Sequence, residues 1–285
     1  MLETYLNHID EHIRFLHATK KVRNVDFHLH HGCEIYFLLQ GDVHYFVEKT
    51  VYPLRFGDLI LTNEHEIHKP SFSSESVYER ITLEFPPTLA LLYQTAEFQP
   101  LSCFYDRPKG ERNKLSLSSK ETSALLGLFL RYEQLQKNPS PGDAILKLSC
   151  FMELLVYINA LFSMNKQPDT GLDLHHKLSP VLDYIERHLE EDLSLDRLEK
   201  LFYINKYYLI KLFKKYTGST IHEYIVSKRI SLAKKLLSEG CNVTEAYLQC
   251  GFNDYTSFLR MFKKKVGLLP KDYPEAVRSP RLAKQ

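Results

Sequence analysis

Between Leu193 and Tyr273 the sequence repeats itself. One copy runs through Ser194, Leu195, Leu198, Leu201, Ile204 and Asn205, then Leu209, Leu212, Phe213, Lys214, Lys215 and Gly218. The other runs through Val243, Ala246, Gln249, Gly251, Phe252 and Asn253, then Phe258, Met261, Phe262, Lys263, Lys264 and Gly267. Asn205 and Asn253 lie 48 residues apart and Phe213 and Phe262 lie 49 apart, so one extra residue in the second turn separates the copies. Two copies are too few for a solenoid. They imply a pair of similar modules side by side.

Each copy has the grammar of a helix-turn-helix: a short amphipathic helix, a turn holding Asn or Gly, then a helix with a basic face. In the second helix of the first copy, Leu209, Leu212, Phe213 and Tyr216 recur at helical spacing and form the expected buried stripe. Its opposite face carries Lys206, Tyr207, Ile210, Lys211 and Lys214. In the second copy the stripe is Phe258, Met261, Phe262 and Val266, and the outer face is Tyr255, Thr256, Leu259, Arg260 and Lys263. A helix N-terminus in the major groove would present those outer residues to base edges while lysines hold phosphates. Ile210 and Leu259 stand where an apolar side chain can meet a thymine methyl or simply pack near the duplex. One lysine-rich helix is commonly a solvated face. Two matched copies argue for DNA.

From about Leu178 to Tyr273 these residues resemble the DNA-binding domain of AraC/XylS-type transcription regulators. The pieces that match are Leu212-Phe213-Lys214-Lys215, Thr217-Gly218, Tyr224, Arg229, Ala233 and Leu236-Leu237, followed by Gly251-Phe252 with Asp254, Phe262-Lys263-Lys264, Gly267, Pro270 and Tyr273. No piece is specific alone; their order and spacing are. The resemblance implies one long helix, about Thr220 to Ser238, joining the two motifs, and two recognition helices entering successive major grooves. The chain departs from the family at Glu199 and Tyr247, where a small residue is usual, and at Pro274, which replaces a basic one. The first two positions pack under the recognition helices, so an altered crossing is expected, with Glu199 at the rim and Tyr247 covering a gap or facing solvent.

A length of 285 residues suggests two domains, at about 150 residues each, and 44% hydrophobic residues suffice for two cores. The net charge of +2 hides an asymmetry. From Lys177 onward 20 Lys and Arg stand against 13 Asp and Glu, a net +7, while the preceding part has 17 against 22, a net −5. A basic half joined to an acidic one fits a nucleic-acid module attached to something else. Glu3, His8, Asp10 and Glu11 interrupt any apolar leader, and no run of 18 apolar residues is evident, so a cytoplasmic protein without a membrane span is expected. Cys33, Cys103, Cys150, Cys241 and Cys250 are odd in number and lack ligand spacing, which reads as reduced thiols.

The N-terminal part reads as short strands at Val25–His30, Glu34–Leu39, Val43–Val47, Leu59–Thr62 and Tyr78–Phe85, with turns at Gly32, Gly41-Asp42, Phe56-Gly57-Asp58 and Asn63-Glu64. That spacing argues for a β-sandwich or barrel. Its details resemble a cupin over about residues 20 to 90: His28-x-His30, three residues, Glu34, then six residues to Gly41, and later Pro53, Gly57-Asp58 and His68. His28 and His30 lie two apart and so share one strand face. With Glu34 and His68 they would make a set of imidazoles and a carboxylate suited to a divalent first-row metal. The same four side chains serve equally as polar lining without metal. His31 and His65 are alternative ligands, and His44 is surface or lining. Continuing the alternation puts Tyr36 and Leu38 on the inner face with Glu34, and Arg80, Thr82 and Glu84 on either a lining or an exposed face. By family analogy His28, His30, Glu34, Tyr36 and His68 line an effector pocket for a sugar or similar polar metabolite.

From Leu115 to about Ser163 the pattern reads as two helices, one carrying Leu125, Leu128, Phe129 and Tyr132, the other Ile145 to Leu161, separated by Pro139-Ser140-Pro141-Gly142. The family resemblance makes them the dimer contact; packing within one subunit is the alternative. The resulting expectation is an N-terminal all-β cupin-like barrel (residues 1–110), dimerisation helices (111–164), a linker (165–174) and an all-α double helix-turn-helix domain (175–285). Such a chain would regulate transcription, more as an activator, with promoter DNA, a small effector, a second copy and RNA polymerase as partners. A metal-dependent cupin enzyme carrying a DNA-binding domain, or a nonspecific DNA binder with an inert barrel, are the alternatives.

Overall fold

Period-two alternation in β2 (Cys33–Gln40) sorts the N-terminal residues between two faces. Ile35 and Phe37 turn toward the cluster built with Phe85, Leu125, Phe129 and Leu154, while Tyr36 and Leu38 turn the other way, toward Tyr45, Tyr52 and Leu54. The computed structural model describes residues 12–21, 26–29, 32–72, 77–137, 140–165 and 178–278. Within them β1 (Arg14–Lys21), β7 (Val77–Phe85), β2, β5 (Leu59–Thr62) and β8 (Lys114–Leu115) form one antiparallel sheet in that order. A second sheet has the order β4 (Thr50–Leu54), β3 (Val43–Val47), β6 (His68–Phe72). The acidic half is therefore the β-rich domain that the sequence pattern implied.

The prolines explain what the pattern hid. Pro53 in β4 and Pro70 in β6 both lie on edge strands of the three-stranded sheet, where a missing backbone N–H is tolerated. Both strands escaped the alternation reading, as did β1. A strand over Val25–His30 is corrected: in the described part, 26–29, His28 makes an isolated bridge to His68 and no ladder. His30 and His31 lie outside the described residues.

Short helices α1 (Pro87–Leu91) and α2 (Ser102–Tyr105) precede the long pair α3 (Ser119–Lys137) and α4 (Asp143–Met164). The pair covers the outer face of the five-stranded sheet through Leu125, Phe129, Phe151, Leu154 and Ile158. By length and composition α4, 22 residues with a stretch of mean hydropathy 1.7, is apolar enough to cross a membrane, although Lys147 and Glu153 leave it no unbroken run of 18 apolar residues, as the sequence reading has it. Half of that stretch is packed inside the protein, as in a core helix.

Beyond Leu178 the chain is helical: α5 (Ser179–Arg187), α6 (Leu195–Phe202), α7 (Lys206–Thr217), α8 (Ile221–Ser238), α9 (Val243–Gln249), α10 (Tyr255–Val266) and α11 (Tyr273–Arg278). Thr220 and Glu223 form a capping box that starts α8 where the sequence placed the joining helix. Its Tyr224 and Ile225 serve the first motif's cluster, and its Ile230, Ala233 and Leu237 serve the second's. The first cluster does not stop at the domain edge: Phe27, Phe46, Val51 and Ile67 of the barrel belong to it. Of the expected linker, Asn165 ends α4, and 166–177 lie outside the described residues.

Candidate functional site

The second helices of the two motifs, α7 and α10, are set up alike. Asn205 caps α7, accepting from the Tyr207 and Tyr208 amides, and Asp254 caps α10, accepting from the Ser257 amide at 2.6 Å. Each ends at a left-handed glycine, Gly218 or Gly267, two residues that carry φ of 68° and 81°. Leu209, Leu212 and Phe213 are buried, as are Phe258 and Phe262. Tyr207, Lys211, Lys214, Tyr255, Thr256, Arg260 and Lys263 are exposed, and Lys206, Ile210 and Leu259 are half-buried. Leu259 packs against the second motif's cluster, so its side chain is shared between core and surface. Lys206 ion-pairs with Asp196 at 2.5 Å.

Glu199 sits at the rim and works on α7: its carboxylate accepts from the Lys206 amide at 3.0 Å and from Asn205 Nδ2 at 3.3 Å. A carboxylate against the first amides of a helix is electrostatically favourable. Tyr247 packs partly buried against the second motif's cluster, with its ring 5.3 Å from that of Tyr255 and 5.9 Å from that of Phe258. Glu199 and Tyr247 thus each contact the first turn of the helix that follows them.

In the barrel, His28, Glu34 and His68 each bring one ligand-capable atom to within 4.8 Å of the others. His68 Nε2 is 3.7 Å from Glu34 Oε1, and the two histidine rings stand 4.6 Å apart. The His28 Nδ1–H donates to the Asp26 carbonyl at 3.0 Å and the His68 Nδ1–H to the Glu66 carbonyl at 2.8 Å. A carbonyl can only accept, so in its neutral form each ring carries its proton on Nδ1 and its lone pair on Nε2. Tyr45 donates to Glu34 Oε1 at 2.9 Å; burial, with the charge of Glu34 beside it, pushes the phenol well up, so it remains a donor. Tyr45 is a site residue that sequence reasoning missed, although its alternation within β3 would have placed it opposite Tyr36.

The other expected lining residues sort cleanly. Tyr36 is buried between the sheets with its ring 4.7 Å from that of Tyr45. Arg80, Thr82 and Glu84 pair across β7 with Leu38, Tyr36 and Glu34 and so share their inner face. His65 is exposed beside Glu64 and stands apart from the cluster, and His44 is half-buried on the face opposite Tyr45. The four thiols Cys33, Cys103, Cys150 and Cys250 are buried and unpaired with one another; Cys241 is half-buried.

A charged seam, unseen in the sequence, joins the barrel to the helical domain. Lys228 of α8 meets Glu48 and Glu186, and Lys49 meets Asp183 at 2.6 Å and Glu186 at 3.4 Å. Burial opposes the Glu186 charge, but Lys228 and Lys49 outweigh it and hold its carboxyl at about 2. Lys69 Nζ donates to Ser219 Oγ at 2.6 Å, and Lys265 Nζ donates to the Phe27 carbonyl at 2.8 Å. Burial pushes the Lys69 ammonium down to about 8.

Residues 12–155 match the family described as AraC-like ligand binding domain, and residues 198–276 match a helix-turn-helix domain. An "Uncharacterized HTH-type transcriptional regulator" of Staphylococcus aureus strain COL is 24% identical over 251 residues, 87% of this chain and 32% of its own length. The HTH-type transcriptional activator Btr of Bacillus subtilis strain 168 is 29% identical over 155 residues, 54% of this chain and 29% of its own. This chain thus spans less than a third of the length of these relatives. A crystal structure of ToxT from Vibrio cholerae O395 aligns over 94% of this chain and 98% of its own at 12% identity, with a TM-score of 0.39. With a ligand-binding domain that alone spans half the sequence, followed by a capped pair of helix-turn-helix motifs, the chain belongs to the AraC family of transcriptional regulators.

Proposed function

We propose that this regulator reads a specific promoter sequence with α7 and α10, as a dimer, and activates transcription when its barrel is occupied. The observation that carries the DNA reading is the matched pair of capped, outward-facing helix N-termini with Tyr207, Lys211, Tyr255 and Arg260 exposed. Lys211 and Arg260 are positioned to read base edges, and Lys206, Lys214 and Lys263 to hold phosphates, with Ile210, Thr256 and Leu259 adding apolar contacts. Ile145, Leu146, Val156 and Met164 on α4 are exposed and fit the dimer contact.

Within the barrel, a divalent first-row cation is the ligand the chemistry favours. Two imidazole Nε2 atoms and a carboxylate already hydrogen-bonded by Tyr45 form a nitrogen and oxygen donor set with its outer partners in place. Tyr36, Tyr45 and Tyr52, each at most 2% exposed, fill the space between the sheets that a sugar would need. His30 is the fourth ligand that the sequence spacing offers.

The test is enrichment of random duplexes on the full chain, then titration of the winner. Arg260→Ala should weaken binding by about 1–3 kcal/mol and relax preference at one base pair. A uniform loss across sequences would make Arg260 a phosphate contact, and enrichment of no motif would refute specific recognition. Metal analysis beside a thermal-shift screen of sugars decides between cation and polar metabolite.

A further inference from the structure

His28 and His68 occupy one backbone pair that faces two ways. The His28 amide donates to the His68 carbonyl at 3.1 Å and the His68 amide returns a bond to the His28 carbonyl at 3.2 Å. Their side chains meet Glu34 inside the barrel. Their sequence neighbours Phe27 and Lys69 turn outward, by the alternation of extended chain, onto the DNA-binding domain. The Phe27 ring packs 5.7 Å from Tyr224 of α8, with Lys69 Nζ 5.4 Å above it.

Each side of this pair holds the end of a different recognition helix. The Phe27 carbonyl accepts from Lys265, in the last turn of α10. Lys69 donates to Ser219, two residues beyond the end of α7. Gly218, which closes α7, is pressed so closely on β6 that a Cβ there would stand 2.6 Å from Ser71 Oγ. The N-terminal ends of both helices, where bases would be read, point away from these contacts and stay exposed at Tyr207 and Tyr255. Two paired barrel segments, at Phe27 and at Lys69, thus hold both recognition helices at or just beyond their C-terminal ends.

We propose that a divalent cation bound by His28, Glu34 and His68 sets the spacing of the two recognition helices through the His28–His68 backbone pair. This rests on the reading of that cluster as the effector site. A cation bonding each ligand at about 2.1 Å holds the three atoms within about 4.2 Å of one another, inside their present 4.8 Å limit. His68 Nε2 and Glu34 Oε1 already stand 3.7 Å apart, so loading the site draws His28 toward them and shifts Phe27, with α10 behind it, relative to Lys69 and α7. Helices spaced to meet successive grooves must match a repeat of about 34 Å, so small shifts are read as affinity. By reciprocity, DNA must change cation affinity by the same factor as the cation changes DNA affinity.

The test uses the full chain with Zn²⁺ alone as the probe. Zinc affinity is measured by competition with a chromophoric chelator, with and without the enriched duplex. The expected result is a zinc affinity that changes about fivefold or more on DNA. Lys69→Met with Lys265→Met, both outside the cluster, should keep zinc binding and abolish that dependence. Hydrogen exchange on the unmodified protein gives a second readout: zinc should alter protection at His28 and His68 together with residues 217–221 and 265–268. Zinc bound equally with and without DNA, or protection changed at the histidines alone, overturns the coupling and leaves the effector site standing. No zinc binding overturns both, and DNA binding by the metal-free protein reports on the regulator reading by itself.

Discussion

His17 shows how a single residue ties a strand to the covering helices and makes the tie depend on pH. It lies on β1 between Glu79 of β7, at 2.8 Å, and Glu133 of α3, at 3.0 Å, with Lys137 bonding the far oxygen of Glu133. Burial disfavours its charge, but hydrogen bonds and attraction to the two carboxylates outweigh that and raise its pKa above 6.5. A base whose folded pKa is raised adds stability that is full below its unfolded value and lost as pH rises through the folded value. The melting temperature should therefore fall between about pH 6 and 8 in the unmodified protein and fall less in His17→Gln, read by parallel thermal melts. Equal pH slopes in the two would show that the ring's pKa does not change on folding. The matching carboxylate follows the opposite sign: Glu133 is buried against its charge, yet Lys137 and His17 lower its pKa, so its contribution is lost in acid.

At the scale of elements, the seam between α8 and the barrel is the strongest claim on stability. Lys228 and Glu48 are 4% and 1% exposed, so neither charge has water to fall back on. Removing one partner of a buried pair costs about 3–5 kcal/mol, whereas replacing both by apolar residues of like size can be neutral. Lys228→Met should lose that amount in urea denaturation, and Lys228→Met with Glu48→Met should recover much of it; a single-variant loss below about 1 kcal/mol would contradict a buried pair. None of this was legible in the sequence, because the partners lie 180 positions apart and each looks like an ordinary charged residue of its own element. What was legible had a local cause. The stripe of α7 and α10, their Asn205 and Asp254 caps, the joining helix after Thr220, and strands β2, β3, β5 and β7 are all written in periodicity and capping residues. β4 and β6 were hidden by prolines that an edge strand tolerates, and the interface anchors Phe27, Phe46 and Lys69 by their resemblance to plain strand residues.

Across the whole molecule the fold makes one body of two functions. An acidic β-rich domain holding His28, Glu34 and His68 rests on the C-terminal ends of two helices whose N-terminal ends face outward. The repeat that first marked the sequence is the reading device, and the barrel is placed to govern how its two halves are spaced. Glu199 and Tyr247 fit the same picture, since each steadies the start of a recognition helix and neither blocks its exposed face. The most direct measurement is a hydroxyl-radical footprint of the full chain on its enriched duplex, beside Lys211→Ala and Arg260→Ala. In each half-site two protected segments about one helical turn apart on one face of the duplex, each weakened by one substitution, are expected. A single segment, or protection untouched by either substitution, would contradict reading by a pair of recognition helices.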